Sequence, residues 1–146
     1  MTAEMKATER QQPLVYPAIL PGSTIGGEAM GTFNVDFTIG SADGRRAVPL
    51  VGMVDTGALY SIIPSPILDE MDIVRDESEL FSLADGSTIE MSIGLALIEM
   101  NGRARTVHVA FGHDPNITLI GAMTLERFGV AADPVHKRLV PARITM

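Results

Sequence analysis

Apolar and polar residues alternate along this chain with a period of two. Phe33, Val35, Phe37 and Ile39 are separated by Asn34, Asp36 and Thr38, the pattern of a strand with one face in a core and the other in water. The alternation returns at Ile89, Met91, Ile93, Leu95 and Leu97, all odd-numbered, and again at Val107, Val109 and Phe111. Turn sequences punctuate these runs: Ser41-Ala42-Asp43-Gly44, Ala84-Asp85-Gly86-Ser87, and Asn101-Gly102, the strongest hairpin signal in the chain. Residues Ala47 to Val54 are apolar almost throughout, which predicts a strand buried on both faces. Shorter strands are predicted over Leu80 to Leu83, Ile117 to Ile120 and Arg138 to Ile144, with Pro141 confining the last to an edge or a bulge.

Helical signals are few. Ser65-Pro66 reads as an N-cap followed by proline at the first helical position, with Ile67, Leu68 and Met71 on a short buried face. Met123 to Phe128 reads as a second short helix, closed by Gly129. Many short strands with turns at roughly ten-residue spacing and two small helices predict an all-β, closed or nearly closed barrel.

Of 146 residues, 46% are hydrophobic and 20% charged, enough apolar material for one globular core. Eighteen acidic residues against 11 basic ones leave a net charge of −7, which argues against nucleic acid or an anionic membrane surface as partners. There is no Cys, so thiolate catalysis, disulfides and Cys-based metal sites are excluded. Residues 1–28 are predicted to be a flexible N-terminal arm: the first twelve are polar and unpatterned, and Pro13, Pro17 and Pro21 then favour an extended chain. The same prolines exclude a membrane span there, and Met1 to Arg10 lacks the form of a signal peptide, so the expectation is a cytoplasmic protein.

The chemistry concentrates at Leu50-Val51-Gly52-Met53-Val54-Asp55-Thr56-Gly57-Ala58, where an apolar strand runs into a carboxylate at a turn. Burying an isolated carboxylate is costly, so Asp55 needs donors or a functional reason to be there. Thr56 brings a hydroxyl, and Gly57 allows a tight turn with an accessible N–H. The tripeptide by itself is a weak signal that arises by chance in roughly a few per cent of chains this long. Other candidates are weaker. His108 sits between Val107 and Val109 on the solvent side of a strand, His113 and Asp114 share a loop with no third ligand nearby, and His136 lies in a basic turn with Lys137 and Arg138. Gly22 to Gly27 lacks the spacing of a phosphate-binding loop, and Ser61 lacks the His and Asp partners of a serine hydrolase.

Three segments in order resemble the retroviral-type (retropepsin-like) aspartic protease family, in particular its small stand-alone prokaryotic members. They are the strand into Asp55-Thr56-Gly57-Ala58, the flap-like Leu83-Ala84-Asp85-Gly86-Ser87, and Leu119-Ile120-Gly121 leading into a helix. The tail from Phe128-Gly129-Val130 to Arg138-Leu139-Val140-Pro141 is similar as well, so the resemblance covers about Gly31 to Pro141 and implies a protease-like domain over residues 29–146. It implies a closed acid-protease barrel that works as a homodimer, since the chain holds one Asp-Thr-Gly and is too short for a two-lobed enzyme. Asp55 would be the catalytic carboxylate, Thr56 a brace between the two loops, and Gly57 a backbone donor to the carboxylates. Ala58, Leu59, Ala84, Asp85 and Gly86 would contact an extended peptide or protein substrate, the last three as a flap tip. No metal or cofactor is implied. Gly121 would let the following helix pack behind the site.

Two departures stand out. Viral members pair an acidic residue two positions after the motif Gly with an Arg after the Leu-Ile-Gly-type triplet; here those positions hold Leu59 and Ala122. Both charges are replaced together, which leaves no orphan and implies a more apolar groove and different dimer contacts. The viral glycine-rich flap is also replaced by Ala84-Asp85-Gly86. The dimer contact is expected at Leu139 to Ile144. The alternative to an endopeptidase is a catalytically silent module of the same fold, binding a peptide or other ligand in its dimer groove.

Overall fold

A computed structural model describes residues 32–83 and 85–142, so the predicted arm (1–28), Ala84 and the last four residues lie outside the described residues. In chain order the elements are β1 (Phe33–Gly40), β2 (Ala47–Val54), β3 (Ser61–Pro64), α1 (Ser65–Glu70), β4 (Glu77–Ser82), β5 (Thr88–Met100), β6 (Arg103–Gly112), β7 (Leu119–Ile120), α2 (Ala122–Phe128), β8 (Val130–Asp133) and β9 (Arg138–Pro141). The fold is all-β with two short helices. Seven strands form one sheet in the order β1-β2-β7-β3-β6-β5-β4, and β1 also pairs with β5, so the sheet curls back on itself into a partly closed barrel. β8 and β9 form a separate two-stranded sheet. Among the described residues no helix is long and apolar enough to cross a membrane.

Two apolar clusters lie on opposite faces of this sheet, and adjacent residues of the same strand serve different ones. Ile63, Val109, Phe111 and Ile120 pack into the larger cluster with Phe37, Leu50, Val54, Ile98, Leu125 and Phe128. Their neighbours Ile62, Ala110 and Leu119 pack into a smaller cluster with Ala58, Met91, Ile93 and Ile117. The doubly buried strand is therefore β3, all four residues of which are buried, and not β2. In β2 only the even-numbered residues face the larger cluster, while Ala47 and Pro49 are exposed. β2 meets β7 at Met53 and Val54 alone, so its first six residues form an edge where a proline is tolerated.

β5 departs from the expected odd-numbered alternation for the same reason. Met91 and Ile93 enter the smaller cluster, but Ala96, Ile98 and Met100 enter the larger one, and Leu95 turns to solvent. The strand changes which face is covered without a break in its ladder to β6. Its first half pairs with β4 over Thr88–Ile93, and pairing with β6 begins only at Ile93. Residues 78–82 and 88–92 thus form a two-stranded ribbon that extends past the barrel.

The local signals resolve individually. Asn101 and Gly102 both have positive φ (52° and 78°), the geometry of the predicted two-residue hairpin turn. Gly129 ends α2 in the left-handed conformation as expected. α1 starts one residue earlier than predicted: Pro64 precedes it without a side-chain cap, and the Ser65 hydroxyl instead donates to the Gly112 carbonyl at 2.9 Å, tying α1 to the end of β6. Of the strand predicted over Arg138 to Ile144, the structure shows β9 over Arg138–Pro141, on the edge of its small sheet, while residues 143 and 144 lie outside the described residues. β8 carries no strand signal of its own, being short and alanine-rich, and forms because β9 folds back on it.

The crossing of β5 between clusters rests on Gly94. A Cβ there would press into the Val74 carbonyl oxygen and come within 2.8 Å of the Ile73 side chain. Gly94→Ala is expected to destabilise the fold by about 1–3 kcal/mol, read as a lower midpoint with an unchanged slope in urea denaturation.

Candidate active site

Where β2 ends, the chain steps over β7 before it re-enters the sheet. β7 lies between β2, to which it is parallel, and β3, to which it is antiparallel, so residues 55–60 must bridge two strand spacings, about 10 Å. Asp55 sits at the start of this bridge. Four hydrogen bonds join the bridge to the junction between β7 and α2. Asp55 N–H donates to the Ile120 carbonyl (3.0 Å), Ala122 N–H to Ala58 (2.8 Å), Met123 N–H to Leu59 (2.9 Å), and Gly121 N–H to the Ser61 hydroxyl oxygen (2.9 Å).

The approach is close enough to require glycine at position 121. A Cβ there would stand 2.5 Å from the Tyr60 carbonyl oxygen and 2.8 Å from that of Ala58, distances that backbone atoms cannot relieve. The first turn of α2 would otherwise leave its N–H groups unpaired. Here two of them are satisfied by the carbonyls of the Asp55 loop, which docks the helix on the loop without a charged side chain.

Asp55 is 9% exposed. Its Oδ1 accepts the Gly57 N–H at 2.8 Å, and its carbonyl accepts the Ala58 N–H at 3.1 Å. The Gly57 N–H, expected to be accessible, is thus engaged by the carboxylate itself. Among the described residues no cation is paired with Asp55. Burial pushes its carboxyl above the ordinary carboxylate value, and the Gly57 N–H opposes this only in part.

The neighbouring candidates separate into two groups. Thr56 and Gly57 are exposed, and Leu59 is 59% exposed, a large apolar side chain beside a buried carboxyl. The Thr56 hydroxyl has no partner among the described residues. Ala58, by contrast, points into the smaller cluster against Ile62 and Leu119.

Asp85 and Gly86 lie at the tip of the β4–β5 ribbon, and the structure does not join them to Asp55. Asp85 Oδ1 accepts the Ser87 N–H (2.9 Å) and the Ser87 hydroxyl (2.6 Å), contacts that hold its carboxyl below the usual range. These contacts hold the turn. The ribbon meets the Asp55 loop lower down, through two residues to which no motif assigns a role. Tyr60 stacks edge-on against Phe81 with ring centroids 5.8 Å apart, and both pack on the smaller cluster. Burial and the charges of Glu79 and Glu77 raise the Tyr60 phenol, whose oxygen is 3.4 Å from Glu79 Oε2. The only signal for this contact in the sequence is two aromatics at the borders of motif segments, and nothing in one sequence pairs them.

His108 and His113 are exposed. His136 is exposed too, though its Nδ1 lies 2.9 Å from Asp133 Oδ2 in the β8–β9 turn. Among the described residues no three His, Asp or Glu side chains gather as a metal-binding group. A groove lined by Asp36, Thr38, Val51 and Glu99 runs along β1, β2 and β5, away from the loop that carries Asp55. A comparison with protein-family models and with curated proteins found no match.

The raised carboxyl makes stability depend on pH in a defined direction. Between the ordinary value of 3.8 and the raised one, the folded chain binds the Asp55 proton more tightly than the unfolded chain does. Stability contributed by this group is therefore present below pH 3.8 and declines as pH rises through the raised value. Asp55→Asn keeps an acceptor for Gly57 N–H and removes the charge. Thermal melts across pH should show the variant more stable than the wild type at neutral pH, with a midpoint a few degrees higher, and the difference should vanish in acid.

Proposed function

We propose that the chain is an aspartic endopeptidase of the retropepsin-like family, which hydrolyses peptide bonds at a site formed by Asp55 from each of two copies. The observation that carries this reading is the Asp55 carboxyl itself: nearly buried, unpaired by any cation among the described residues, held by one backbone N–H and raised by burial above the ordinary carboxylate value. The exposed Thr56, Gly57 and Leu59 give the loop a free face on which a second copy can sit. One chain would then carry half a cleft.

In the dimer two carboxyls at short range cannot both ionise, so they share one proton and titrate as a unit. The ionised member takes a proton from a water held between them. The resulting hydroxide attacks the peptide carbonyl carbon, and the protonated member donates to the carbonyl oxygen as the tetrahedral intermediate forms. The carboxyl that took the water proton then gives it to the leaving amine, and the C–N bond breaks as the gem-diol collapses to the carboxylic acid. A gem-diol hydroxyl proton returns to the other carboxylate, which restores the shared proton. The Thr56 hydroxyls brace the loops across the two-fold axis. The β4–β5 ribbon covers an extended substrate and excludes water, with Phe81 packed on Tyr60 of the Asp55 loop. With Leu59 in place of an acidic residue, the groove favours apolar side chains around the cut.

The purified full chain should cleave a diverse unstructured peptide library between about pH 3.5 and 7.5, best on the acidic side. Asp55→Asn should abolish cleavage. Mixing the two proteins separates one-chain from two-chain sites: activity should fall as the square of the wild-type share when Asp55 comes from both copies, and in proportion to it when one chain suffices. Sedimentation of a single 15.6 kDa species with full activity would reject the dimeric site.

A further inference from the structure

Ser61 and Thr124 are the polar side chains most completely removed from water in the described fold, both at 0% exposure. They lie 63 positions apart in the sequence, Ser61 at the start of β3 and Thr124 in the first turn of α2, with their hydroxyl oxygens 2.6 Å apart. The Ser61 oxygen also accepts the Gly121 N–H. A buried hydroxyl with two partners is costly to disturb, because each partner left behind is an unsatisfied polar group in an apolar surrounding.

Their place matters more than their burial. The loop that carries Asp55 is clamped at both ends on consecutive residues of the β7–α2 junction: Asp55 N–H on Ile120, and the Ser61 hydroxyl on Gly121. Of the four bonds between loop and junction, three are main chain to main chain and persist whatever the side chains are. The Ser61 bond alone is made by a side chain. Its hydroxyl can occupy three staggered positions, and the contact to Thr124 selects the one that meets Gly121. Leu59 and Ala122 bring no charges to this junction, which leaves the hydroxyl pair as its polar side-chain brace.

We propose that Ser61 and Thr124 form a positioning pair that fixes the Asp55 loop on the β7–α2 junction and thereby sets the placement of the Asp55 carboxyl for catalysis. This rests on the endopeptidase reading, in which small displacements of a reacting group are expensive. The test uses the full chain with Ser61→Ala, the near-isosteric Thr124→Val, and Thr124→Ser, which keeps the hydroxyl. Two readouts are taken: the titration midpoint of the Asp55 carboxyl carbon by NMR, and kcat and KM on a peptide the wild type cuts.

Ser61→Ala and Thr124→Val should let water reach Asp55 and bring its midpoint down toward the ordinary carboxylate range. The same two variants should lower kcat about tenfold to a hundredfold with KM changed by less than about threefold. Thr124→Ser should restore both. If both hydroxyl-deleting variants lose melting temperature alone, with midpoint and kcat as in the wild type, the pair is a core contact and the proposal is overturned. Should Ser61→Ala fail to fold, Thr124→Val decides. If the wild type cuts no peptide, the endopeptidase reading fails by itself, while the Asp55 titration in the variants still shows whether the pair positions the carboxyl.

Discussion

The junction between β7 and α2 is the constraint from which the rest of the structure around Asp55 follows. Four consecutive residues, Ile120 to Met123, supply one acceptor and three donors, and each is matched by a group between Asp55 and Ser61. Each such bond adds only about 0.5–1.5 kcal/mol net, but a buried group left without its partner costs about 1–3 kcal/mol. The arrangement is therefore held less by the strength of any one bond than by the penalty for losing register. It also explains why a two-residue strand persists at all. β7 is too short to stand as a sheet member alone, and it is kept in place by β2 on one side, β3 on the other and the loop that crosses its end.

The second organising element is the division of apolar residues between two clusters. A barrel with one interior would leave Ile62, Ala110 and Leu119 on its outer wall, in water. Here that wall is covered by the β4–β5 ribbon, through Met91 and Phe81, and by the loop residues Ala58 and Tyr60. On the opposite face of β4, Leu80 is 71% exposed.

These two features mark what one sequence makes legible. Strand β1, the Asn101-Gly102 hairpin and helix α2 follow from local rules, because their signals lie within a few residues of one another. The switch of faces along β5 does not. The residues from Ile89 to Leu97 obey a perfect period of two, but which half of the strand is covered on which side depends on β4 and β6, distant partners that periodicity cannot see. β2 misleads in the opposite way: its unbroken apolar run suggests two buried faces, when Pro49 and Ala47 lie on an open edge. At the site, Asp55 stands out because a carboxylate after an apolar strand is chemically anomalous. Ser61 and Thr124 do not, since two small hydroxyl residues 63 positions apart carry no anomaly until the fold makes them neighbours.

Leu59 and Ala122 bring no charge to this junction. A cation at this junction would pull the Asp55 carboxyl down toward ionisation. The backbone bonds from Ala122 and Met123 to Ala58 and Leu59, with the hydroxyl contact beneath them, dock the helix while adding no charge. The electrostatic consequence is that burial dominates at Asp55, and the carboxyl is raised with nothing but one N–H opposing it. A second copy of the loop would bring a like carboxyl to the same place and push in the same direction. A junction free of charge thus favours the protonated form of Asp55, and in the proposed dimer it would favour the single proton that a water-activating carboxyl pair shares.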